Sequence, residues 1–212
     1  MTDLGPVPAN PKQVVRAGYD ACAAAYSETR SGVDETAELE RLLDVLPTYP
    51  LTLEVGCGAG YPVGALLASR GAYIGVDISR GQLELARRTL PDACLIEGDV
   101  AELQFRDNVF DAIVSLYTLF HLPREEHADV LGRFLGWLRP GGYLFITVAR
   151  TAHAGYTETD FFGTTMYWSH HEPAWYVNAL EALGFSGIRE SSIPADHGDR
   201  YDHPVLFARA PR

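Results

Sequence analysis

Five short apolar runs divide the first three quarters of the chain, with room for a helix between most neighbours. They are Leu51–Val55, Ala72–Asp77, Cys94–Val100, Phe110–Tyr117 and Arg139–Thr147. β-Branched and aromatic residues at this length read as strands, and helical periodicity lies between them. Leu39, Leu42, Leu43 and Leu46 share one helical face behind a cap at Asp34 or Thr36, and Pro47 and Pro50 end that helix. Pro62 stands where a proline opens a helix at no cost in hydrogen bonds. Ser79 with Gln82 makes a capping box for a helix over Gly81–Thr89. Val130, Leu131, Phe134, Leu135 and Leu138 give an apolar face to a helix over Pro123–Leu138. Beyond Gly184, Phe185–Ile193 and Pro204–Ala210 read as two strands joined by a polar, glycine-containing loop. Strands alternating with helices predict a mainly parallel sheet covered on both faces.

The first run ends in Glu54-Val-Gly56-Cys57-Gly58-Ala-Gly60. Glycines at alternate positions after a strand remove the Cβ atoms that would keep backbone away from a ligand, and they supply positive φ angles. A dinucleotide fingerprint needs a third glycine where Tyr61 stands, and Gly60 comes one residue early for it. Asp77 closes the second run about twenty residues later, where an acid accepts hydrogen bonds from ribose hydroxyls.

The pattern Glu-x-Gly-x-Gly-x-Gly, followed by acid-ended runs in this order, resembles the class I S-adenosylmethionine-dependent methyltransferases. The resemblance spans about Val14 to Phe207. It implies an α/β fold: one Rossmann-like methyltransferase domain with a seven-stranded, mostly parallel sheet, an antiparallel last strand and helices on both faces. Residues 1–12 would be a flexible leader, 13–48 lid helices, 49–149 the cofactor-binding core, 150–171 an irregular substrate loop, and 172–212 a helix and hairpin. S-adenosyl-L-methionine would be the cofactor. It would lie against Glu54, Gly56, Cys57, Gly58, Gly60, Asp77, Ile78, Gln82, Ser115 and Leu116, with Asp99 at the adenine amino group and the Val100 N–H at the ring. In the N-terminal segment Gly18–Arg30, Tyr19 and Tyr26 would fold over the cofactor, with Tyr26 and Arg30 suited to its carboxylate. His121 follows the fourth strand and is a candidate base or positioning group. Tyr117, His153, Tyr167, Trp168, His170 and His171 are candidates for the substrate walls, because aromatics crowd the segment Arg150–His171.

Composition narrows the acceptor. A formal charge of −11 argues against nucleic acid, which needs a basic footprint. The Asn-Pro-Pro-Tyr type of signature is missing near Ser115–Thr118. No carboxylate cluster calls for a metal, although Asp160, Asp196, Asp199 and Asp202 leave that open. Cys22, Cys57 and Cys94 lack metal-ligand spacing and fit a reducing, cytoplasmic setting. No run is long enough to span a membrane. A small organic methyl acceptor is therefore expected. A cofactor-binding protein with a non-methylating or purely binding role, and a nicotinamide oxidoreductase, remain as alternatives. Oligomeric state is not legible.

Overall fold

In the computed structural model, which describes residues 4–30, 36–194 and 202–212, the alternation becomes a seven-stranded sheet. Its strands are β2 (Leu51–Val55), β3 (Ala72–Asp77), β4 (Cys94–Glu97), β5 (Phe110–Ser115), β6 (Leu138–Thr147), β9 (Ser186–Ile193) and β10 (His203–Arg209). They lie in the order β4-β3-β2-β5-β6-β10-β9. β2, β3, β4, β5 and β6 are parallel, whereas β10 runs antiparallel to both β6 and β9. The helices are α1 (Pro11–Arg30), α2 (Thr36–Leu43), α3 (Val63–Arg70), α4 (Arg80–Thr89), α5 (His127–Trp137) and α6 (Pro173–Ala182). The Asp34 cap, the Thr36 side chain and the loop over 195–201 lie outside the described residues.

Strand periodicity of two explains the packing. Ile113, Leu144, Ile146 and Leu206 point to one face, where Val130, Leu131 and Phe134 of α5 and Tyr176 and Leu180 of α6 cover them. Ala112, Val114, Phe145, Val205 and Phe207 point to the other, under Leu39, Leu42, Val63 and Leu67. Both faces of the central strands are therefore buried, as parallel sheets require. Their carboxyl ends converge on one rim, where α/β folds bind ligands.

Two expectations are corrected. Residues 150–171 are not an irregular loop. They form an antiparallel hairpin of β7 (His153–Phe161) and β8 (Thr164–His170), joined by Phe162 and Gly163 at φ 51° and 78°. Threonines and aromatics on either side of a two-residue turn are a hairpin signal, and the aromatic density masked it. The leader is not free either. Its residues Leu4–Gly5 form β1, which pairs with Thr157 and Glu158 to complete a second, three-stranded sheet, β1-β7-β8. α1 lies against β8, where Val15 packs with Met166 and Tyr167.

His127 shows how a buried histidine is held in this core. Its Nε2 lies 3.2 Å from the Leu122 carbonyl and its Nδ1 2.9 Å from the Tyr176 hydroxyl. Nε2–H therefore donates and Nδ1 accepts, which fixes the neutral tautomer. Burial lowers its pKa to about 4, against the Leu122 hydrogen bond that raises it. A folded pKa below the unfolded value gives stability that is present above pH ~6.5 and is lost as pH falls towards about 4. Asp77 and Glu54, whose pKa values are raised, act in the opposite sense over overlapping ranges. The difference in unfolding free energy between wild type and His127→Gln isolates the histidine. The wild-type advantage is expected to shrink from pH 7 to pH 4, and a constant difference would contradict the assignment.

Candidate active site

The site is built around the bend after β2. Gly56 N and Cys57 N both donate to the Val76 carbonyl, at 2.8 and 3.0 Å, which ties the turn to β3. Gly56 sits at φ +76°, and a Cβ there would fall 1.8 Å from Thr118 Oγ1. Thr118 is itself pinned, since its hydroxyl lies 3.0 Å from the Val55 carbonyl and 2.9 Å from that of Leu116. Gly58 differs. At φ +53°, its missing Cβ would meet only Gln82 Oε1 at 3.7 Å, so this glycine faces open space. Pro62 is the cap of α3 rather than its first residue.

Asp77 braces the turn from the neighbouring strand. Its Oδ2 accepts from Gly58 N and its Oδ1 from Ser79 N, both at 2.8 Å. Burial raises its pKa to about 6, with the Ser79 and Gly58 amides acting against the rise. Glu54 is buried beside it, and Tyr73 donates its hydroxyl to Oε2 at 2.5 Å. Burial lifts Glu54 to about 8, against that hydrogen bond, so the carboxyl is protonated at neutral pH. The capping box expected at α4 is half formed. Ser79 Oγ accepts from Gln82 N at 3.1 Å, but both amide atoms of the Gln82 side chain are buried without a partner among the described residues.

α1 roofs the bend. Ser79 Oγ donates to Asp20 Oδ1 at 2.6 Å, and Gly81 N donates to the same oxygen at 2.9 Å. Tyr19 OH lies 2.8 Å from His121 Nε2, and His121 Nδ1 lies 2.9 Å from the Tyr167 carbonyl. The carbonyl requires Nδ1–H, so Nε2 accepts and Tyr19 donates. Burial lowers His121 to about 4, partly offset by the Tyr167 hydrogen bond. Tyr19 is shifted the other way, well above the usual phenol range, by burial first and then by Tyr26 and Asp77. At neutral pH the pair is an uncharged phenol on an uncharged imidazole.

Three cavities that share lining residues open between roof and bend. One of about 390 Å³ is bounded by Lys12, Val15, Val55, Val76, Asp77, Ile78, Asp99, Val100 and His121. A second, of about 430 Å³, adds Tyr19, Tyr26, Gly58, Gln82, Leu116 and Tyr117. The third reaches Glu54, Cys57 and Tyr61. Most of the expected cofactor residues thus converge here. Gly60 shapes the turn at φ +74° without lining these cavities. Ser115 is fully buried, its hydroxyl without a partner among the described residues. Arg30 ends α1, and its side chain lies outside the described residues.

The substrate candidates divide. Tyr117 lines the cavity at φ +55°, a backbone angle rare for a side chain this large and met mostly at functional sites. Trp168 lies over His121, with ring centroids 4.3 Å apart, and continues into Phe161 at 5.6 Å. Tyr26 packs on Phe161 and Phe162 at 5.9 and 5.6 Å. Tyr167 is buried and contributes its carbonyl rather than its ring. The three loop histidines are held by backbone groups. His170 bonds the Thr151 carbonyl, His171 bonds that of Arg124 and stacks on Trp175, and His153 accepts from Gly155 N. They fasten the base of the hairpin, and none lines the three cavities. Lys12, Asp20 and Thr118 escaped the sequence reading. Lys12 being the only lysine was the one available signal.

Residues 53–146 match the family model described as a methyltransferase domain. An uncharacterized methyltransferase of Oceanobacillus iheyensis is 30% identical over 181 residues, which is 81% of this chain and 76% of that protein. Methyltransferase GfsG of Streptomyces halstedii is 33% identical over 123 residues, 55% of this chain and 43% of that one. The chain spans only 43%, 24% and 33% of the first three curated relatives it matches. Among solved structures, the DhpI–SAH complex agrees in fold at TM-score 0.76 and 21% identity, covering 97% of this chain and all of that one (100%).

Proposed function

We propose, from the premise that this chain belongs to the S-adenosylmethionine-dependent methyltransferase family, that it transfers a methyl group to a small organic acceptor beneath α1 and the β7–β8 hairpin. The observation that carries this reading is the glycine bend with the buried, unpartnered Gln82 amide aimed at it. A donor and an acceptor left bare in a cavity call for a ligand that offers both. S-adenosylmethionine does so, and its positive charge suits a pocket bordered by the Asp77 and Asp99 carboxylates. When bound it supplies an activated methyl on a sulfonium, so the protein's task is chiefly alignment, a contribution of up to roughly 7–11 kcal/mol. Gly58 admits the backbone contact, Asp77 offers its remaining lone pairs to the ribose hydroxyls, and Asp99 with the Val100 amide faces the base.

Tyr19 is the group that meets the acceptor. Its own proton is committed to His121 Nε2, and its oxygen, which also meets the Tyr26 hydroxyl, has a second lone pair with which to accept from an acceptor hydroxyl or amine. His121 acts through Tyr19, because its only lone pair is already taken. The net charge of −11 and the aromatic walls of Tyr26, Phe161 and Trp168 favour a small, largely apolar molecule over nucleic acid. A panel of phenols, amines, thiols and carboxylates with methyl-labelled cofactor tests the reading. Label transfer to one class is expected, and cofactor binding without transfer to any would favour a binding role instead. Asp77→Ala removes both the brace and the ribose acceptor. Charged hydrogen bonds contribute about 1.5–3 kcal/mol each, so affinity for S-adenosylhomocysteine is expected to fall at least ~10-fold. Unchanged affinity in a folded variant would contradict the role.

A further inference from the structure

Lys12 holds two carboxylates from different parts of the chain. Its Nζ lies 2.7 Å from Asp99 Oδ2 and 2.6 Å from Glu126 Oε2. Asp99 follows β4, Glu126 lies in the short turn before α5, and Lys12 belongs to the first turn of α1. The Asp99 side chain is only 6% exposed. Its other oxygen accepts from Ala101 N at 2.9 Å, so the carboxylate is fixed at both ends. Aliphatic side chains make up much of the rest of this cavity's lining, with Val15, Val55, Val76, Ile78, Val100 and Leu122 around it, while Asp77, Thr118 and His121 also border it. A largely aliphatic cavity with the Asp99 carboxylate held in place at its rim fits a planar base carrying an amino donor.

We propose that Lys12 is a positioning residue for the cofactor's base: by bridging Asp99 and Glu126 it aims the Asp99 carboxylate at an exocyclic amino group and closes α1 over that end of the cavity. This rests on the cofactor placement proposed above. A carboxylate has more lone pairs than Lys12 and the Ala101 amide consume, so Asp99 keeps acceptor capacity for the base. Without Lys12, the buried Asp99 and the partly exposed Glu126 carboxylates would repel each other at one rim, and rotation of Asp99 would spoil the acceptor. Burial opposes the Lys12 charge, but the hydrogen bonds to Asp99 and Glu126 outweigh it and raise its pKa. Two other ties run along the same helix, at Tyr19 and Asp20. Lys12 is the one set at the base end.

The test is equilibrium binding by calorimetry, with S-adenosylhomocysteine and with S-inosylhomocysteine, in which a carbonyl replaces the amino group. Wild type is expected to prefer the adenosyl ligand. K12M is expected to bind it at least ~10-fold more weakly and to lose most of that preference, because a charged hydrogen bond to the amino group is what disappears. K12R, which keeps the charge, is expected to retain the preference. A K12M protein that binds both ligands as wild type does would overturn the inference. So would one weakened equally for both, which would make Lys12 a structural strut. K12R losing the preference as fully as K12M would overturn the role of the positive charge. Wild type failing to bind S-adenosylhomocysteine at all would instead remove the cofactor placement itself.

Discussion

Gly58→Val is expected to leave the protein folded and to abolish measurable binding of S-adenosylhomocysteine. The two glycines of the bend separate fold from function. At Gly56 any side chain collides with Thr118 Oγ1 at 1.8 Å, and Thr118 is anchored to the Val55 and Leu116 carbonyls. A substitution there breaks the turn. At Gly58 the nearest protein atom to an added Cβ is Gln82 Oε1 at 3.7 Å, so the protein has room. The cost is the left-handed backbone, about 1–2 kcal/mol for a residue with a Cβ. That is small against the 5–15 kcal/mol stability of an ordinary domain. The isopropyl group would project into the volume assigned to the cofactor, beside the unpartnered amide of Gln82. Calorimetry checks binding, and circular dichroism checks the fold. A folded Gly58→Val protein with wild-type affinity would reduce the bend to a structural turn.

Tyr19→Phe is expected to lower kcat by about 10²-fold while cofactor affinity stays near wild type, within the range for a positioned proton-transfer group. The phenol is the polar atom that α1 presents to His121 among the described residues, and its loss leaves the acceptor's proton facing a ring edge. His121→Ala is expected to cost a similar factor, because it removes the group that holds the phenol. Its loss should be the same from pH 6 to pH 9, since the imidazole, with a pKa near 4, is neutral throughout. A deficit that vanishes at high pH would make His121 a direct base and would contradict the geometry.

The parallel strands and the glycine bend could be read from the sequence because their causes are local. Leu51–Val55 must be a buried strand on its composition alone, and the glycines that follow have only one common use beside an acid-ended neighbour. Gly56 and Gly58 look alike in sequence. Only Thr118, sixty residues away, separates their roles. The roof was harder because it depends on pairing across distance. Leu4–Gly5 becomes a strand only when β7 is present to pair with it. Lys12 carries no local signal beyond being the only lysine, and its meaning comes from Asp99 and Glu126.

The histidines are a related case. His153, His170 and His171 cluster in sequence with aromatic residues, which resembles a ligand-binding loop. Strand pairing turns the segment into a hairpin and sends these rings to backbone groups, the Gly155 amide for His153 and carbonyls for His170 and His171, and to Trp175. Trp168 and Phe161, from the same hairpin, do reach the rings around Tyr19 and His121. Position along the hairpin decides the outcome, since Trp168 and His170 share one side of the pleat, and a strand's register is invisible until its partner is known.

The most direct test is a crystal structure of the protein grown with S-adenosylhomocysteine. The account predicts the methionine portion against Gly58 and Gln82, the ribose on Asp77, and the adenine between Val15 and Val100 with its amino group on Asp99. A ligand bound elsewhere, or a bend that stays empty at saturating concentration while the fold is intact, would contradict it.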